Sequence, residues 1–182
     1  MACISLAALP RACGAEGVLA GLEKLYAISF IDLAVPTGAT NGDVYTTSTG
    51  GLISAIGLDS GKKFVEIGLL KSSAGLSETL TKDSTKGISY LTQSFTMVLA
   101  DLTSDNKTFV EGVMNQPIAI IVKSRTGKFY AAGLNGQLEL SALESGTGTA
   151  EGDTIGYTLT FSGISTKLIP QVDSTIISTL IS

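Results

Sequence analysis

Apolar and polar positions alternate with a period of two along most of this chain, interrupted at intervals by clusters of Gly, Ser, Thr and Asn. That pattern predicts short strands joined by turns. Its most legible stretch runs from Pro117 to Ser165. Pro117 to Lys123 is an apolar, β-branched run, Ser124 to Gly127 is a polar turn, and Lys128 to Leu134 resumes the strand pattern. Asn135-Gly136 then predicts a type I′ hairpin, because both central positions of that turn need φ > 0, and it leads into a strand over Gln137 to Leu143. After a Gly/Thr-rich loop, Tyr157, Leu159 and Phe161 alternate with Thr158, Thr160 and Ser162. The expectation is one antiparallel sheet, apolar on one face and hydroxyl-rich on the other.

Upstream, residues 23–33 are rich in β formers and predict the first strand. A helix through Leu19, Leu22, Leu25 and Tyr26 competes for part of this stretch, but Gly17 and Gly21 would each cost it about 1 kcal/mol. Residues 36–51 have no apolar period and predict a contact loop holding a short strand near Val44 to Thr46. Leu52 to Ile56 and Lys63 to Lys71 are strand candidates. Gly75 to Thr81 runs into the polar turn Lys82 to Gly87, and Ile88 to Leu102 is the longest strand signal. In it Leu91, Phe95, Met97 and Leu99 share one face with a single polar exception, Gln93. Fifteen extended residues would reach about 50 Å, so a hairpin over about 76–102 should project from the core or bend around it.

Thr103 to Asn106 supplies N-cap candidates, and Phe109, Val110, Val113 and Met114 follow at helical spacing. One short amphipathic helix over about 104–115 is expected, stopped by Pro117. The sum is a mainly β chain: an antiparallel sandwich or barrel-like sheet with one short helix and a long projecting hairpin. A single domain over 1–182 carries an N-terminal arm at 1–22, the loop at 36–51 and an apolar C-terminal tail at 171–182.

Composition narrows the function. Histidine is absent, which removes the usual general base and the commonest metal ligand. Only 15% of the 182 residues are charged and the net charge is −4, so there is no basic footprint for gripping phosphates. A mean hydropathy of +0.37 with so few charges favours burial against other copies. Cys3 and Cys13 read as two thiols rather than a disulfide framework, and the apolar opening lacks the basic start of a signal peptide. No run approaches the eighteen or so apolar residues of a membrane helix, so no membrane insertion is expected.

The candidate sites favour structure over chemistry. Gly61-Lys62-Lys63 lacks the spacing of a phosphate loop. Glu139, Glu144, Glu151 and Asp153 read as solvated charges rather than paired catalytic carboxylates. Asp43, Glu151 and Asp153 offer oxygen ligands of the kind calcium takes, but without EF-hand spacing. The many Ser and Thr residues have no partnering base and read as cross-strand hydroxyls. The sequence therefore predicts no enzyme, no cofactor and no metal.

Read in order, the MACISL and GLEKLYAISF segments, the SETLTKDSTKGISYLTQSFTMVLADL hairpin, and the run from PIAIIVKSRTGKFYAAGLNGQLEL through TGTAEGDTIGYTLTFSGI resemble bacteriophage tail tube (major tail) proteins of phages of Bacteroidetes hosts. The resemblance spans most of the chain; SRTGKFYAAGLNG and GDTIGYTLTFSG are its most specific parts. It implies a virion protein, made in the bacterial cytoplasm, whose rings, commonly hexamers, stack into a hollow tube alongside other tail proteins and pass genomic DNA without binding it tightly. On that reading Lys82, Asp83, Lys86 and Tyr90 of the hairpin, with Thr40, Asn41 and Tyr45 of the 36–51 loop, are the candidate inter-subunit contacts. Glu78, Asp83 and Glu111 are the candidate lumen-facing acids. A tail terminator or connector ring fits the same pattern, and a surface β-sandwich acting as a binding or adhesion module is the alternative from another class.

Overall fold

The computed structural model describes residues 20–39, 42–70, 72–148 and 155–182. Eleven strands and two helices follow in order: β1 (Leu22–Ser29), β2 (Tyr45–Thr47), β3 (Ile53–Ile56), β4 (Val65–Ile67), β5 (Ala74–Asp83), β6 (Ile88–Ala100), α1 (Ser104–Val113), β7 (Ile118–Ser124), β8 (Phe129–Ala132), β9 (Glu139–Gly146), β10 (Gly156–Ser165), β11 (Gln171–Val172) and α2 (Ser174–Leu180). They form a seven-stranded sheet, ordered β2-β3-β11-β8-β7-β1-β4, and a four-stranded sheet, ordered β5-β6-β10-β9. Every pairing is antiparallel except β11 with β3.

The chain is mainly β, and the two sheets face each other across the larger core. β1 and β7 lie in the interior of the seven-stranded sheet, which explains their nearly continuous apolar sequences. Leu25 and Ala27 of β1, with Ile118, Ile120 and Val122 of β7, point toward the four-stranded sheet and meet Phe95, Met97, Leu99, Leu159 and Phe161. Phe95 and Phe161 pack with ring centroids 6.2 Å apart. Tyr26, Ile28, Ala119 and Ile121 point the other way, into a second core closed by Phe64, Tyr45 and the α2 residues Ile177 and Leu180.

Several expectations from the sequence change here. The Asn135-Gly136 step is not a type I′ hairpin: positive φ falls on Gly133 (81°) and Gln137 (42°), and the chain leaves one sheet for the other. β8 pairs with β7 and β11, β9 pairs with β10, and Leu138 forms the bridge to Ile118 between them. The Pro117 to Ser165 stretch is thus split between two sheets instead of forming one. Its crossing is close enough that a Cβ on Gly136 would lie 2.0 Å from the Ile164 carbonyl oxygen. Only glycine fits.

The first strand stops at Ser29 and gives way to a 3-10 turn over Phe30–Asp32, and the Lys63 to Lys71 candidate shrinks to Val65–Ile67. The long hairpin is present over 74–100, but β10 backs β6 from Leu91 to Ala100. Only the tip, residues 81–90, projects as a two-stranded ribbon. There are two helices rather than one. The 171–182 segment is no loose tail: β11 inserts between β3 and β8, and α2 folds back so that Phe64 N–H donates to Leu180 O (2.8 Å) and Ser182 N–H to Phe64 O (3.1 Å).

α1 forms where the sequence predicts it. Thr103 Oγ1 accepts from Asn106 N–H at 3.2 Å, and Asn106 Nδ2 donates to the carbonyls of Ala100 and Asp101, fastening the helix to the end of β6. Val110 and Val113 reach the core.

Candidate assembly surfaces

The four-stranded sheet turns most of its apolar residues inward and presents a face rich in hydroxyls outward, interrupted by Val98 and Ile164. Because side chains on neighbouring antiparallel strands stand side by side, the register arranges them in rows. Ser77 lies opposite Ser94 and Ser94 opposite Ser162; Thr79 lies opposite Thr92; Thr96 lies opposite Thr160. Thr158 extends the face, with Glu144 beside it on β9 and Glu139 beside Ser162. The result is a broad face rich in hydroxyls, with two acids along the β9 margin.

Both margins of this sheet are unpaired among the described residues. β5 bonds only to β6 and β9 only to β10, so each leaves one row of backbone donors and acceptors open. Edges of this kind invite pairing with another chain, and neither is blocked by a proline. Strand direction alternates across the sheet, so β9 of one copy would meet β5 of another antiparallel.

The candidate contact residues distribute unevenly. Lys82, Asp83, Lys86 and Tyr90 cluster at the projecting tip. Asp83 Oδ1 accepts from Thr85 N–H (2.9 Å) and Lys86 N–H (3.2 Å), shaping the turn, while its other oxygen lies 3.9 Å from Lys86 Nζ. Lys82 is exposed, and Tyr90 is half-buried opposite Thr81. Thr40 and Asn41 lie outside the described residues, as do Cys3, Cys13, Glu151 and Asp153. Tyr45 must be corrected. Its side chain is only 5% exposed and belongs to the second core, where its hydroxyl accepts from Asn135 Nδ2 at 2.7 Å.

The candidate lumen acids also separate. Glu78 is on the inward side of β5, where its Oε1 accepts from Ile169 N–H at 2.8 Å and lies 3.5 Å from Gln93 Nε2. Glu111 sits on α1 beside Lys107, at 3.6 Å. Only Asp83 shares the outward side of β5 with Ser77 and Thr79. Two further acids stand on the hydroxyl face with it, Glu139 and Glu144, and these read from sequence as solvated charges. Their alternation was visible there, but the sheet to which β9 belongs was not.

Several other charges are paired around the periphery, among them Lys62 with Asp32 at 3.1 Å. Lys123 lies 2.8 Å from Glu23 and holds that carboxyl below its usual range, while Glu66, hydrogen-bonded to Lys24, raises the Lys24 ammonium. Lys167 donates to Asp43 at 2.9 Å, which raises its pKa, and stands 5.7 Å from the Tyr45 ring centre. Among the described residues no group of three or more Cys, Asp or Glu could hold a metal ion, and no helix is long and apolar enough to cross a membrane. These surfaces offer backbone edges, hydroxyls and apolar side chains.

No protein-family model, curated protein or solved structure matches the chain.

Proposed function

We propose that this protein is a virion structural subunit that assembles into rings and, by stacking, into a tail tube for genome delivery. One observation carries the reading: a four-stranded sheet with two open edges, one hydroxyl-covered face and one face sealed by a core. Joining β9 of each copy to β5 of the next satisfies both edges and closes the sheet on itself, as a symmetric ring requires. The hydroxyl face then lines the hole, and the seven-stranded sheet forms the outer wall. The resemblance noted in the sequence supports the same assignment and suggests a hexamer.

Such a lining suits the passage of DNA. Hydroxyls present no fixed positive charge, and Glu139, Glu144 and Asp83 add negative charge that repels phosphates. The duplex slides without being held. Partners on this reading are other copies of the chain and neighbouring tail components, assembled in the host cytoplasm and carried in the virion tail.

Electron microscopy of negatively stained, purified protein tests the proposal. Rings or tubes with a central hole are expected. A monomer whose sedimentation is independent of concentration would sink it.

A further inference from the structure

The projecting tip exposes more than charge. Leu80, at the base of the tip, is 60% exposed and Ile88, within it, 47% exposed, and they lie on opposite faces of the hairpin, so the tongue is apolar on both sides. Nothing within the described subunit covers it. Exposed apolar residues concentrated on one projection mark a contact awaiting a partner.

A groove of about 700 Å³ opens between α1 and the edge strand β4. Its floor and walls include Val65, Phe109 and Val113, and Asp32, Glu66 and Asp105 line it too. Val65 is 57% exposed there although it sits on the core-facing side of its sheet, opposite Ala27. Volumes of this size accept several side chains.

The two features lie at opposite ends of the four-stranded sheet. The tip closes the start of β6, whereas α1, which forms one wall of the groove, is fastened to the end of β6 through Asn106. Thirteen strand residues separate them, about 43 Å at about 3.3 Å per residue. A second copy displaced along the strand direction therefore brings its tip to this groove. Charge adds a narrower match: Asp32 is held by Lys62 and Glu66 by Lys24, each at 3.1 Å, which leaves Asp105 in the groove and Lys82 at the tip as opposite charges that make no ion pair among the described residues.

We propose that the hairpin tip of one copy docks in the α1–β4 groove of the next, Leu80 and Ile88 packing on Val65 and Phe109 and Lys82 facing Asp105. This is a heterologous contact between different patches, so it propagates as a stack instead of closing on itself. It rests on the tube reading and assigns the axial joint, as distinct from the lateral β9–β5 joint.

The test uses the full chain with Leu80→Asp, and separately a Leu80→Cys/Val65→Cys double variant in a Cys3→Ser, Cys13→Ser background. Leu80 lies at the base of the projecting ribbon and is 60% exposed, so the fold should survive, which circular dichroism checks. The expected result is that Leu80→Asp keeps single rings but lowers the sedimenting tube fraction about tenfold or more. Oxidised tubes of the double variant should contain disulfides joining position 80 of one copy to position 65 of another. Tubes of unchanged length in Leu80→Asp, or oxidised tubes without that linkage, overturn the docking while leaving the tube reading in place. A wild-type chain that never forms rings overturns both.

Discussion

Gly133 donates its backbone N–H to Oε1 of Gln93 across 3.1 Å, joining β6 of one sheet to the end of β8 in the other through the middle of the core. Gln93 is 3% exposed and is the single polar member of an otherwise apolar strand face. A buried donor deprived of its partner costs about 1–3 kcal/mol. Gln93→Met should lower stability by about 2 kcal/mol on that basis, read as a reduced midpoint in urea. A midpoint within experimental error of wild type would show that the bond contributes nothing.

Gly136 and Gly87 make a second, paired prediction. Gly87 has φ 66° with open space around it, so Gly87→Ala should cost about 1 kcal/mol of backbone strain. At Gly136 the added carbon would meet the Ile164 carbonyl, so the crossing itself must shift. Thermal melts should rank Gly136→Ala well below Gly87→Ala. The reverse order would mean that the two sheets are not joined there as described.

Asp173 caps α2 by accepting from Thr175 N–H and Oγ1–H, each at 2.9 Å, and these bonds lower its carboxyl pKa. A carboxyl whose folded value lies below its unfolded one stabilises the fold above the unfolded value, and that contribution disappears as pH falls through the folded value. Urea unfolding of wild type and Asp173→Ala should therefore differ near neutrality and converge in acid. A gap that stays constant with pH would contradict the capping role.

The proposed lining makes a fourth prediction. Thr96 and Thr160 are neighbours on the hydroxyl face, and replacing both with Lys places two cations per copy along the passage. Tubes of that variant should retain duplex DNA in a salt-dependent manner, while wild-type tubes should not. Equal retention by both, measured by co-sedimentation, would remove this face from the lumen.

Much of the fold is legible in the sequence because its strands obey period-two alternation. β5, β6, β7, β10 and α1 fall within a few residues of their expected bounds, and the turn before Ile88 lies where its polar run places it. Sheet membership is a different matter. The alternation of β8 and β9 says that each is a strand, yet Asn135-Gly136 carries the local signature of a hairpin while long-range pairing to β10 draws β9 away. Gln93 stands out as an anomaly on an apolar face, but its partner, Gly133, lies just past β8, far along the chain. The open edges of β5 and β9 are properties of topology alone, and no local pattern encodes them. Tyr45 was misplaced for a related reason: a Gly/Thr-rich setting suggests exposure, whereas β2 is pinned against β3 and covered by its own subunit.

The position of β11 governs when the subunit can be finished. Among the described residues Gln171 and Val172 are the strand residues that link β3 to β8, so β2 and β3, held to the segment after β1 by the Leu33–Leu58 bridge, join β8 only once residue 172 has been made. The strands of the other sheet are synthesised earlier and can pair among themselves. A nascent chain thus holds every strand of the four-stranded sheet by Ser165, before β11 completes the seven-stranded one at Val172.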